Sequence, residues 1–132
     1  GVADIEPLAQ TTHKFEAGYF DWLIGPYPQA KTLYAARSPI HHLERFVTPV
    51  ILFQGEEDRV VPPAQSASLA AALEARRVPH VLLTFPGEGH GFRNADNIRA
   101  CYQAELSFYA QVLGFPLGER LPPVPVRHLE SG

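Results

Sequence analysis

Asp58 and His90 stand 32 positions apart, and each follows a short apolar run. Pro49-Val50-Ile51-Leu52-Phe53-Gln54-Gly55 leads to the aspartate, and His80-Val81-Leu82-Leu83-Thr84-Phe85, then a glycine-rich turn, leads to the histidine. A carboxylate that accepts the Nδ1 proton of an imidazole fixes the tautomer in which Nε2 can take a proton from a nucleophile. The pair therefore has the residue types of the acid and base of a hydrolytic triad. The nucleophile is not in view. Ser38, Ser66, Ser68, Ser107 and Ser131 are the five serines, and none lies in a Gly-x-Ser-x-Gly setting. Nor does a glycine-rich segment upstream supply the donors that stabilise an oxyanion.

Plainer readings compete at each position. An aspartate before Pro62 can simply begin a turn, Glu56 and Glu57 rival Asp58 for the acid role, and a histidine between Gly89 and Gly91 can be an exposed loop residue. The pair gains weight from where both members sit, at the ends of two strand-like runs separated by a helical one. His41-His42 suggests a metal, but no further ligands accompany it at the spacing a metal needs, so a surface or helix-capping role is expected. Cys101 falls inside a helical pattern and reads as a core or groove-lining residue. Neither a metal nor a cofactor is expected.

The elements that must position the pair follow from periodicity. Residues 5–24 read as two short helices or one bent one, closed by Gly25-Pro26, and a further helix runs from Pro28 through Tyr34 and is ended by Ser38-Pro39. The run 49–54 has the continuous apolar character of a strand buried on both faces. Pro62-Pro63 opens a helix ended by Val78-Pro79, and 80–85 forms a second strand. Strand, helix, strand implies a right-handed crossover and a parallel pair, whose carboxyl ends carry Asp58 and His90 on adjacent loops. Gly89 and Gly91 are expected to let the backbone turn sharply around His90. A long amphipathic helix occupies 94–113, with Ile98, Tyr102, Leu106, Tyr109 and Leu113 on one side as its expected core face. Residues 1–115 form the body and 116–132 a proline-rich, loosely held tail. The fold class is α/β, with parallel strands, flanking helices and an incomplete sheet.

Eleven basic against fourteen acidic residues, scattered along 132 positions, leave no basic stripe for nucleic acid. No apolar run approaches the roughly 20 residues of a membrane span. The chain opens without methionine or a signal-like segment, which suggests that the true N-terminus lies upstream, so location is not read from this end; the one cysteine fits a reducing compartment, and on that ground a cytoplasmic location is expected.

Gly55-Glu56-Glu57-Asp58-Arg59-Val60-Val61-Pro62 and Gly87-Glu88-Gly89-His90-Gly91-Phe92 resemble a known pattern, together with Thr12-His13-Lys14-Phe15-Glu16 and Leu23-Ile24-Gly25-Pro26-Tyr27. The likeness is to the C-terminal part of the catalytic domain of prolyl oligopeptidase family serine peptidases, in the dipeptidyl-aminopeptidase and acylaminoacyl-peptidase branch. It implies an α/β-hydrolase fold, whose triad runs Ser, Asp, His along the chain. Asp58 would be the acid and His90 the general base. Phe15 and Tyr19 resemble aromatic positions lining the pocket for the substrate residue just before the cleaved bond; their i, i+4 spacing puts them on one helix face, and a core role is the alternative. Val61 resembles an apolar wall of that pocket, and Arg59 a donor to a substrate carbonyl.

The implied reaction is hydrolysis of short peptides through an acyl-enzyme, with this chain inert alone. Its partners would be a peptide substrate, the N-terminal part of the catalytic domain with serine and oxyanion hole, and a β-propeller. An unpaired sheet edge invites association into an oligomer. A noncatalytic interaction module and a piece of an esterase of the same fold stand as alternatives.

Overall fold

The computed structural model describes residues 1–11, 18–118 and 120–129. The helices are α1 (Glu6–Thr11), α2 (Tyr19–Leu23), α3 (Lys31–Arg37), α4 (Pro63–Ala75) and α5 (Ala95–Leu113), and the strands are β1 (Val50–Gly55) and β2 (His80–Phe85). Two 3-10 turns, Pro39–His41 and Leu43–Arg45, lead into β1. The strands are parallel, in register from Val50 opposite His80 to Gly55 opposite Phe85, so they end level with one another. That equality places the two loops that follow them side by side.

Side chains alternate across a strand, and here both faces are covered. Ile51, Val81 and Leu83 pack with Phe108 and Ala104 of α5. On the opposite face Gln54 accepts a 2.6 Å bond from Ser66 Oγ of α4, and His80 and Leu82 lie beside Ala70 and Ala71. Two-sided cover explains the continuous apolar character of both runs. α4 begins with Pro63 in its first turn, where a missing N–H costs nothing. It ends with Arg77 in the left-handed region (φ 55°) and Val78 N–H bonded to the Leu73 carbonyl, a Schellman-type stop. α5 begins at Asn94, whose side chain accepts from Asp96 N–H, and ends at Gly114 with φ 70°.

The N-terminal segment is fastened to this core by one buried amide. Gln65 Oε1 accepts from the N–H groups of Ala3 and Asp4, and its Nε2 donates to the Asp4 carbonyl. The third helix starts later than its proline suggests, at Lys31 rather than Pro28, and ends at Ser38 as expected; its fully buried Tyr34 donates to the Gly25 carbonyl.

Two expectations are corrected. The stripe on α5 does not form the core: Tyr102 and Leu113 are 68% and 70% exposed, and Leu106 and Tyr109 are also exposed. The helix seats its narrower face instead, with Ala104, Ser107 and Phe108 inward. The described residues of the tail are not loose either. Val124 is buried against Val81 and Phe108, its N–H donates to Ser107 Oγ, and Arg127 exchanges two backbone hydrogen bonds with His80. It thereby pairs with the first residue of β2 on the side away from β1, while the other edge of β1 has no strand beside it among the described residues.

Candidate active site

The acid loop leaves β1 through a turn in which Asp58 N–H bonds the Gly55 carbonyl. Asp58 Oδ1 accepts from the N–H groups of Val60 and Val61 at 2.9 and 2.8 Å, which leaves Oδ2 turned toward the neighbouring loop. There it meets His90 Nδ1 at 2.9 Å. An ionised carboxylate only accepts, so Nδ1 is the donor and carries the proton. Glu56 and Glu57, the rival acids, are exposed, whereas the Asp58 side chain is 8% exposed. Burial by itself would raise the Asp58 carboxyl. The Val61 N–H, the His90 ring and the Val60 N–H together outweigh it and hold the group below the ordinary carboxylate range.

His90 is the open member of the pair, with 56% of its side chain exposed. Its loop is fixed at both ends. Glu57 N–H donates to the Glu88 carbonyl and Glu56 N–H to that of Phe85, tying the acid loop to the base loop by main chain. Gly55 makes this approach possible, because a Cβ there would collide with the carbonyl oxygens of Glu88 and Gly89. Beyond the histidine, Phe92 packs on Phe85 with ring centroids 5.0 Å apart. Gly87, at φ 73°, is the left-handed position of the loop, and the chain bends at His90 and Gly91 with neither Gly89 nor Gly91 in a left-handed φ.

The loop also uses a residue that the sequence reading passed over. Glu88 is 3% exposed, and its carboxylate accepts from Arg93 N–H, Asn94 N–H and Asn97 Nδ2 at 2.8 to 3.0 Å. An acidic residue in a turn ordinarily faces solvent; the only signal was the pair of asparagines that follow it.

Val61 is buried and serves the acid through its backbone. Arg59 is exposed. Tyr19 is 54% exposed on α2, its ring against Phe20 and Trp22. Phe15 lies outside the described residues. His42 Nε2 donates to the Ala36 carbonyl at the end of α3, the capping role expected of it. Among the described residues no group of three side chains is placed to hold a metal, and no helix is long and apolar enough to cross a membrane. Burial, with Glu88 and Glu105 nearby, pushes the Cys101 thiol up and keeps it protonated. Ser38, Ser66 and Ser107 are buried.

Residues 1–115 match the model of the prolyl oligopeptidase family. The chain belongs to that family. Among its relatives, dipeptidyl aminopeptidase BIII of Pseudoxanthomonas mexicana is 30% identical over 119 residues, a stretch covering 86% of this chain and 17% of the relative. The acylamino-acid-releasing enzyme of Rattus norvegicus is 40% identical over 60 residues, 46% of this chain and 8% of that enzyme. In three dimensions the chain is similar to a puromycin-hydrolyzing peptidase of Mycobacterium tuberculosis, with a TM-score of 0.91 and 43% identity over 96% of this chain and 19% of that one. A puromycin hydrolase structure gives 0.87 and 39%. The fold is thus that of part of an α/β-hydrolase domain, and the chain spans under a fifth of the length of these relatives.

Proposed function

We propose that this chain supplies the acid and general base of a serine peptidase, within a longer polypeptide that provides the serine. One observation carries the reading. Asp58 Oδ2 holds His90 Nδ1 at 2.9 Å where two parallel strands end level, and the imidazole is otherwise open. Reactive groups in open α/β sheets gather at such strand ends. With Nδ1 protonated, Nε2 is the acceptor. It takes the proton of a serine Oγ as that oxygen attacks a peptide carbonyl, then returns it to the leaving amine as the acyl-enzyme forms. Water, deprotonated at the same Nε2, releases the acid.

The rest of the site is assigned to the longer chain: nucleophile, oxyanion donors, further strands and a β-propeller. The free edge of β1 and the exposed stripe of α5 are surfaces that such a remainder would cover. Peptides are the substrate class that the relatives' names favour. Phe15 and Tyr19 are assigned to the pocket for the residue before the cleaved bond, a role open to Tyr19 through its exposure, while Val61 contributes its N–H to the acid and Arg59 is free to meet a substrate carbonyl. Alone, residues 1–132 are inert.

The test is hydrolysis of aminoacyl anilides by the full-length protein. Asp58→Asn leaves the wrong ring nitrogen protonated and lowers kcat by about 10⁴-fold, with KM little changed. A rate within threefold of wild type in this variant or in His90→Ala would refute the assignment.

A further inference from the structure

A buried charge is retained only where its surroundings satisfy it, and Glu88 is satisfied on one side only. All three donors to its carboxylate, Arg93 N–H, Asn94 N–H and Asn97 Nδ2, belong to the segment that opens α5. Its main chain faces the other way: the Glu88 carbonyl accepts Glu57 N–H at 2.9 Å, one residue from the acid, against the glycine that admits it. Glu88 thus clamps the β1 loop with its backbone and the start of α5 with its side chain. His90 is suspended between the clamps, two residues from one and three from the other. Its own glycine neighbours contribute no left-handed turn and meet nothing within contact distance of a Cβ, so they do little to hold the ring.

We infer that Glu88 is a positioning residue for the general base: its clamp sets the height and angle at which His90 meets Asp58. The inference rests on the reading of His90 as the base. The Asn97 amide and the Arg93 N–H outweigh burial, and with the Asn94 N–H they hold the Glu88 carboxyl below the ordinary range. The clamp is therefore ionised, as an acceptor of three bonds must be, throughout the neutral range. Glutamine keeps the shape but has one acceptor oxygen and directs an NH₂ at N–H donors, so it cannot reproduce the set.

The experiment uses the full-length protein and an aminoacyl anilide, comparing Glu88→Gln, Asn97→Ala, His90→Ala and the Glu88→Gln/His90→Ala double variant. Glu88→Gln is expected to lower kcat about ten- to a hundredfold at unchanged KM, as for a misplacement of about 1 Å. Asn97→Ala, which removes one bond from outside the loop, gives a smaller loss of the same kind and serves as the readout if Glu88→Gln does not fold. In the His90→Ala background Glu88→Gln should cost nothing further, because the base it positions is gone. A wild-type kcat in both Glu88→Gln and Asn97→Ala overturns the inference, as does a loss that persists undiminished in the double variant. A wild-type rate in His90→Ala alone would instead overturn the reading beneath it.

Discussion

Asp58 is the residue on which structure and chemistry meet. Its carboxylate accepts two backbone N–H bonds and the imidazole, and these hold its folded pKa below that of the unfolded chain, about 3.9. A depressed folded pKa contributes stability that is complete above the unfolded value and is lost as pH falls through the folded one. Melting temperature measured against pH should therefore be insensitive to this group from pH 7 to 5 and decline below about 4. Asp58→Asn removes the titration and should flatten that decline; an equal acid decline in the variant would show that other carboxylates govern it. The acid and base were legible as a pair because both follow strand-like runs. The choice among Glu56, Glu57 and Asp58 was not, since it depends on which carboxylate the turn closed by Gly55 directs inward. Glu88 was hard to see for a related reason: two of its three donors are backbone N–H groups, which no residue type announces, and only the Asn97 amide is a side chain.

At the scale of elements, the close approach of β1's end to the loop beyond β2 is what joins acid to base. Gly55→Ala would place a methyl group against two carbonyl oxygens on backbone that is already hydrogen-bonded. Forcing the loops apart should cost about 1–3 kcal/mol of stability in chemical denaturation, and activity should fall with it. An alanine variant as stable as wild type would mean that the two loops are not held this closely. Strands, crossover helix and final helix were readable from apolar runs, prolines and caps. The face that α5 buries was not. Periodicity marks an apolar stripe but not what covers it, and with two strands beneath the helix the inward face is the one bearing Ala104, Ser107 and Phe108.

For the whole molecule, composition suggested a loose tail, because prolines and few apolar residues give little reason to dock. One residue decides otherwise. Val124 enters the core between Val81 and Phe108, with its N–H on Ser107 Oγ and its carbonyl accepting from Gln111 Nε2. Beyond it, Glu74 faces Arg127 Nη1 at 3.3 Å and His128 Nε2 at 3.1 Å, the latter without the alignment of a hydrogen bond. Val124→Ala should lower stability by about 1–2 kcal/mol, read as a shift in denaturation midpoint. An unchanged midpoint would return the tail to the loosely held state its composition suggests.

Whether Asp58 and His90 serve a serine lying outside these residues is read by labelling with a fluorophosphonate, followed by peptide mass. One adduct is expected on the full-length protein, on a serine outside residues 1–132, slowed by about 10³-fold or more in His90→Ala, and none on residues 1–132 alone. An adduct on Ser38, Ser66, Ser68, Ser107 or Ser131, or labelling of the full-length protein that ignores the loss of His90, would contradict it.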